Sequence, residues 1–272
     1  MTVDGALGFA RTLGVERLDA MVLLAHHLGQ RREWLLAHGG DPIDDATRAR
    51  FEADCQRRLD DVPLAYLTRT REFYGLTLEV DPAVLVPRVD TETLAGWAIE
   101  IVRAMLATTA QPRVVDLGTG SGALALAIAA ACPAAVVTGT DASEAALDVA
   151  SRNAQRLGLR VEWRRGDWWS AVMAQRFDLA VANPPYIAPG DPHLGALRHE
   201  PRQALVAGND GLAALAAIVA RARLHLSGWL LLEHGWNQAA AVHKMLLDAG
   251  MTHPETRLDL AGQVRCSGGR LG

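Results

Sequence analysis

Residues 114–131 read VVDLGTGSGALALAIAAA: a short apolar run, three alternating glycines, then an apolar segment of helix-forming residues. Gly118, Gly120 and Gly122 permit a tight strand-to-helix turn in which the backbone approaches a ligand closely. Ser121 or the glycines then open a helix whose N–H groups attract an anion. The outline is that of a nucleotide loop. It does not choose its ligand alone, because Gly118-x-Gly120-x-x-Ala123 also satisfies the dinucleotide fingerprint and glycine also serves helix–strand packing. Asp141, about 20 residues on, ends the next apolar run, where a carboxylate accepts the hydroxyls of a ribose. Its other reading is the N-cap of the following helix, a role open to Ser143.

Outward from this loop, short apolar runs at 113–117, 136–141, 161–165, 177–182 and 229–233 alternate with helical segments. The alternation predicts an α/β fold, a mostly parallel sheet with helices on both faces and ligands at the strands' carboxyl ends. Upstream, to about residue 67, apolar residues recur at helical spacing, as in Leu18, Met21, Val22, Leu24 and Leu28 and again in Phe51, Cys55 and Leu59. Between the two regions REFYGLTLEVDPAVLVPR puts Leu76, Leu78 and Val80 on one face before an Asp81-Pro82 turn, which reads as a β-hairpin connector. Asp90 or Thr91 is placed to cap the next helix, through Trp97, Ile99, Ile101 and Met105. The expected division is a helical domain over 1–70, a hairpin over 71–86 and the α/β domain over 87–272.

With 272 residues, half of them hydrophobic, the chain can bury a sizeable core. A formal charge of −4 gives no overall basic field, which argues against a protein that clings to nucleic-acid phosphates. Cys55, Cys132 and Cys266 are odd in number and lack any ligand spacing, so neither disulfides nor a metal site is expected. The first residues carry no signal-peptide pattern, and no run reaches about 18 apolar residues, so a cytoplasmic protein without membrane contact is expected. His193, His199 and His234 match no metal or triad spacing and receive no role.

The glycine loop lacks the Lys-Ser/Thr pair of a Walker site, and Asp116 just before it would repel a pyrophosphate. S-adenosyl-L-methionine suits the pattern: a ribose for Asp141, an ammonium and sulfonium for an acidic neighbourhood, and a carboxylate for the helix N-terminus. After two intervening strands, FDLAVANPPYIAPGD interrupts a buried strand with Asn183-Pro184-Pro185-Tyr186. A planar amide or aryl amino nitrogen is a poor nucleophile because its lone pair is delocalised. If the Asn183 side-chain oxygen and the Pro184 carbonyl each accept one N–H, the lone pair turns toward a methyl donor and charge developing on nitrogen is stabilised. The prolines hold those carbonyls rigid, and Tyr186 supplies a flat face against the planar group or packs under the loop. In a sheet of this type strand four ends beside strand one, so both motifs face one crevice.

The segments REFYGL, VLVPRVDTETL, VVDLGTGSGALALA, DASEAALDVASRNA, GDWW, NPPYIAPGDPHL, EPRQAL and GNDGL, in this order, resemble the bacterial glutamine methyltransferases of peptide chain release factors from Arg71 onward. The resemblance implies a class I methyltransferase fold, Rossmann-like with a mostly parallel seven-stranded sheet and a final antiparallel strand. It also implies an N-terminal helical domain that helps hold the release factor. By position it implies that Asp116, Gly118, Thr119, Gly120, Ser121, Gly122, Asp141, Asp167, Trp168 and Asn183 bind S-adenosylmethionine. Trp168 then stacks beside the adenine or sits in the core, and Asp167 reaches the adenine amino group. Asn183, Pro184, Pro185 and Tyr186 take the substrate glutamine, with Asn183 and Pro184 catalytic. The implied substrate is the glutamine of the Gly-Gly-Gln loop of class I release factors, and a monomer is expected. Val89, where the family usually shows a second proline, and the C-terminal GQVRCSGGRLG depart from the pattern. Two rivals use the same chemistry: a methyltransferase acting on a ribosomal-protein glutamine, and one acting on an amino group of a flipped adenine or of guanine. The second usually needs a basic reading element, and WRRGDWW and RLHL are short.

Overall fold

The computed structural model describes residues 1–271, which divide into two compact units, Met1–Thr70 and the chain from Arg71 onward. In the first, α1 (Val3–Leu13), α2 (Arg17–Leu28), α3 (Arg32–Ala37), α4 (Asp45–Leu59) and α5 (Leu64–Thr68) enclose a core built on Leu23, Leu24, Leu35, Phe51 and Cys55. Thr2 caps α1 by accepting from the Gly5 N–H at 3.2 Å, and Asp44 caps α4 by accepting from the Thr47 N–H at 2.8 Å. His27 Nε2 lies 3.0 Å from Asp54 Oδ2, and Arg58 Nε donates to Asp19 Oδ2 at 2.7 Å, which ties α2 to α4. Of the apolar row expected in α2, Leu24 is buried and Met21 and Leu28 pack against the core, but Leu18 is 55% exposed, and Ala20 and Leu23 complete the buried face. The reason is that α2 packs against α1, α3, α4 and α5, so its buried face is centred on those neighbours rather than on the most hydrophobic row.

A hairpin follows, β1 (Thr70–Phe73) and β2 (Leu76–Glu79), turned by Tyr74 and Gly75, both at positive φ. The α/β unit then runs α6 (Thr91–Met105), β3 (Arg113–Leu117), α7 (Ala123–Ala131), β4 (Val136–Asp141), α8 (Glu144–Leu157), β5 (Glu162–Arg165) and β6 (Phe177–Ala182). It ends with α9 (Ala213–His225), β7 (Leu226–Glu233), α10 (Ala239–Asp248), β8 (Met251–Leu258) and β9 (Val264–Leu271). The sheet order is β5-β4-β3-β6-β7-β9-β8, parallel from β5 to β7, with β9 antiparallel to both β7 and β8. Side chains alternate across it. Val114, Leu179, Val181 and Leu231 pack on the face covered by α6 and α7, whereas Val115, Ala180, Ala182, Leu230 and Leu232 pack on the face with α9 and Trp169.

Three of the expected strands have the expected bounds. β5 begins one residue later than expected, and β7 begins at Leu226 because Leu226 pairs with Phe177. Neither Asp90 nor Thr91 caps α6 with its side chain: Asp90 pairs with Arg265 at 3.2 Å, and Thr91 is the first helical residue. The C-terminal GQVRCSGGRLG supplies β9, an interior strand. Gly268 suits it, because a Cβ there would lie 2.4 Å from Leu231 Cδ2 and 2.8 Å from the Trp97 ring. Among the described residues no helix is long and apolar enough to cross a membrane.

Candidate active site

The parallel strands present their carboxyl ends, Leu117, Asp141, Ala182 and Glu233, at one edge of the sheet, and the two sequence motifs meet there because β6 lies directly beside β3. The glycine loop leaves β3 with Gly118 (φ 76°) and Gly120 (φ 55°) in the left-handed region, and nothing lies within 4 Å of a Cβ built on Gly120. Four loop N–H groups are used internally. Gly118 and Thr119 donate to the Thr140 carbonyl, Gly120 to Asp141 Oδ2 at 2.9 Å, and Gly122 to the Thr119 carbonyl. Such a loop cannot cradle a pyrophosphate with those amides.

Asp116, only 1% exposed, accepts from Thr119 Oγ1 at 2.5 Å and from the Ala125 N–H at 3.2 Å through Oδ2, while its buried Oδ1 has no partner. Desolvation, with Asp141 as a smaller like-charge contribution, pushes its carboxyl up to about 7 against those two hydrogen bonds. Asp141 accepts from Gly120 and, through Oδ1, from the Ser143 N–H at 2.9 Å; desolvation raises its carboxyl as well. The cap of α8 is Ser143, which accepts from the Ala146 N–H, so Asp141 is not engaged as a cap.

One cavity is lined by Asp116, Gly118, Thr119, Gly120, Ser121 and Asp141, and also by Asp167, Trp168 and Asn183. Gly122 is absent from this lining: a Cβ there would meet Leu126, Trp163 and Ala150 at 3.0 to 3.2 Å, so its glycine serves helix packing. Trp168 is half-buried in the cavity wall, and it is Trp169 that occupies the core, stacked on His225. A second cavity is lined by Pro184, Tyr186, Ile187 and Leu197 and shares Asn183 and Pro185 with the first. Asn183 therefore stands where the two meet. Its Nδ2 donates to Thr91 Oγ1 at 3.1 Å, which leaves Oδ1 as the acceptor of the amide.

Residues 98–208 match the methyltransferase small domain family, and residues 9–68 match the PrmC N-terminal domain. A release factor glutamine methyltransferase of Bordetella pertussis is 51% identical over 95% of this chain and 96% of its own length. Another of the same description, from Xylella fastidiosa, is 48% identical over 97% of each chain. The chain belongs to the release factor glutamine methyltransferase family. Among solved structures, the Thermus thermophilus 16S rRNA N2 G1207 methyltransferase, in complex with AdoMet and guanosine, superposes with a TM-score of 0.55 at 20% identity, covering 75% of this chain and 50% of its own. That likeness establishes the fold.

Several contacts at this family's crevice were given no role in the sequence reading. Glu200, almost wholly buried, accepts from the Val86 N–H at 3.0 Å and from Arg88 Nη2 at 2.5 Å, joining two loops that wall both cavities. Tyr186 is held through its carbonyl by Gln238 Nε2 at 3.1 Å, and its hydroxyl lies 3.3 Å from Glu233 Oε1. Glu233 is 1% exposed, and desolvation pushes it up to about 7, with Thr91 and Arg265 opposing the shift. A readable sign existed: LLLEHG places a carboxylate directly after a buried apolar run. Val89, at 47% exposure, lines neither cavity; His193 pairs with Asp191 at the surface, and His234 is buried against Ser267 Oγ and the Gly235 carbonyl. The three cysteines are buried and free, and no metal-binding group occurs among the described residues.

Proposed function

We propose that this protein methylates the side-chain amide nitrogen of a glutamine in a peptide chain release factor, the one in the Gly-Gly-Gln motif of the class I factors, with S-adenosylmethionine as donor. The observation that carries the reading is Asn183, whose Nδ2 is engaged by Thr91 and whose free acceptor stands where the two cavities meet.

The first cavity fits the donor. The unpaired buried Oδ1 of Asp116 suits a cationic group and would reject a phosphate, and Asp141 keeps carboxylate lone pairs for hydroxyls at the rim. The open backbone at Gly120 admits a ligand at contact distance, with Trp168 and Asp167 on the wall assigned to the base. When bound, S-adenosylmethionine supplies an electrophilic methyl group on a sulfonium.

The chain's own residues prepare the nucleophile. Asn183 Oδ1 and the Pro184 carbonyl accept the two N–H bonds of a primary amide, which fixes its plane and directs the nitrogen lone pair, normal to that plane, toward the methyl donor. Negative character on the acceptors stabilises the charge that grows on nitrogen, so no strong base is required at the start. Tyr186 and Pro185 bound the planar group, and the flanking glycines of the substrate loop let its backbone pass close to the walls. The N-terminal unit holds the folded factor and raises the loop's effective concentration at the site.

The rRNA methyltransferase shares the fold, so the fold does not choose the substrate; the identity to release factor enzymes over nearly the whole chain favours the glutamine. Labelled donor incubated with intact release factor, ribosomal protein and DNA decides it. Label is expected on release factor, located by mass spectrometry on the glutamine. Label on ribosomal protein or DNA in preference to the factor refutes the reading.

A further inference from the structure

The proposed reaction uses the Pro184 carbonyl as one of its two acceptors, and a backbone carbonyl is aimed only by the chain on either side of it. Upstream, Asn183 follows directly on β6, whose Ala182 is registered against Leu117 of β3 and Leu232 of β7. Downstream, Ile187 donates to the Leu205 carbonyl at 2.9 Å and accepts from the Ala207 N–H at 3.1 Å. Between these anchors Pro184 and Pro185 fix φ at two positions, so few torsions are free and a displacement of the Tyr186 carbonyl is carried back to Pro184. That carbonyl is met from two other segments. Gln238, in the loop between β7 and α10, donates to it through Nε2 at 3.1 Å and to the Asp210 carbonyl at 3.5 Å. The other end of the same amide is also engaged, since Oε1 accepts from the Gly235 N–H at 2.8 Å. The amide is thereby oriented with its donors toward Tyr186. Gly211, at φ 75°, passes so close that a Cβ there would run into the Tyr186 carbonyl oxygen and would lie 2.9 Å from Gln238 Nε2.

We infer that Gln238 and Gly211 are positioning residues for methyl transfer: together they frame the Tyr186 carbonyl, and through the proline pair they hold the Pro184 carbonyl where it accepts the second N–H of the substrate amide. This rests on the roles of Asn183 and Pro184 proposed above. Neither Gln238 nor Gly211 lines either cavity, so neither touches the donor or the reacting atoms. Their parts are complementary. The glycine gives the carbonyl room, and the glutamine draws it into that room, so loss of either lets the carbonyl move. The geometric demand is strict, because the amide nitrogen must face the methyl group along one line, and a shift of about 1 Å caused by a residue remote from the chemistry can cost about 10²-fold in rate. A residue that only filled space at 238 would be replaced well by the isosteric glutamate. A hydrogen-bond donor would not be, since a carboxylate keeps an acceptor for the Gly235 N–H but turns lone pairs toward two carbonyl oxygens.

The test uses the full chain with S-adenosylmethionine and an intact class I release factor, and takes kcat per donor site counted by calorimetry, so that an unfolded fraction does not lower it. Gln238→Ala and Gln238→Glu are expected to lower kcat by about 10- to 100-fold, with Gln238→Glu at least as slow as Gln238→Ala. The KM for the factor and the calorimetric Kd for the donor should stay within about threefold, a span of less than 1 kcal/mol. Gly211→Ala should show the same split. Gly262→Ala, at a similar φ of 79° but with nothing within 4 Å of its Cβ, should keep the wild-type kcat. The double variant of Gly211→Ala and Gln238→Ala should be faster than the product of the two single losses, since both displace one carbonyl. If both Gln238 variants turn over within about threefold of the wild type while Asn183→Ala is slowed at least about 100-fold, the positioning role is wrong and the role of Asn183 stands. A Gln238→Glu faster than Gln238→Ala would mark space filling, and a raised KM at unchanged kcat would mark a contact with the factor; either overturns the inference. If Asn183→Ala itself turns over normally, the underlying reading has failed. Should Gly211→Ala not fold, the two Gln238 variants decide alone by the same criteria.

Discussion

Replacing Asp116 by asparagine tests whether the first cavity is built for a cation. Asp116 is fully buried and its carboxyl is pushed from an ordinary value of 3.8 to about 7, chiefly by desolvation. A folded-state value raised in an acid means that folding favours the neutral form, so the penalty on the ligand-free protein is absent below about pH 4, grows up to about pH 7 and is constant above it. The shift of about 3 units corresponds to roughly 4 kcal/mol at most. A cationic ligand beside the unpaired Oδ1 favours the charged form and so binds with release of a proton below neutrality. The Kd of S-adenosylmethionine should therefore weaken about tenfold between pH 7.5 and pH 6, the factor expected for one group titrating near 7. Calorimetry in buffers of different ionisation enthalpy measures both the affinity and the proton count. In Asp116→Asn, where the ionisable group is gone, binding at pH 8 should be weaker by about 10- to 100-fold, for the 1.5 to 3 kcal/mol of one contact to a charged group. The steep dependence on pH should be lost, and the ligand-free variant should lose less thermal stability between pH 5 and pH 8 than the wild type does. A wild-type Kd that is level from pH 6 to pH 8, or an unchanged slope in the variant, would refute the assignment of a cation to Asp116.

Asp141→Ala should weaken donor binding by about 3 kcal/mol, roughly two hydrogen bonds to a charged group after partial replacement by water, and an unchanged calorimetric Kd would remove Asp141 from the site. Asn183→Ala should leave that Kd near the wild-type value while lowering turnover by about 10² to 10³; normal turnover would discard the amide-orienting mechanism. Gly268→Ala should cost about 1 to 3 kcal/mol and several degrees of Tm, because its Cβ would lie 3.0 Å from the Leu230 carbonyl oxygen, backbone that cannot yield as a side chain does. An unaltered melting temperature would show that β9 can move away from β7.

The α/β order, the bounds of β3, β4 and β6, and the meeting of the glycine loop with Asn183-Pro184-Pro185-Tyr186 were all legible in the sequence. Each depends on local periodicity, on glycine and proline at fixed offsets, and on the one handedness with which parallel strands connect. That Asp116 and Asp141 line one cavity was legible for the same reason, since both are tied by short spacing to strand ends. What tertiary structure alone decided lies between segments far apart in the chain. Thr91 and Asn183 are 92 residues apart, and Val86 and Glu200 are 114 apart, yet each pair is joined by a single hydrogen bond that no local pattern encodes. The buried row of α2, with Leu18 outside it, was likewise set by four neighbouring helices and not by the helix's own hydrophobicity. The state of Glu233 follows the same rule: its position after LLL marks it as unusual, but how far burial raises it, and which partners oppose that, depend on Thr91, Tyr186 and Arg265 arriving from three other elements. Periodicity specifies which way a residue faces along its own element, whereas desolvation and hydrogen-bond direction are properties of the packed assembly around it.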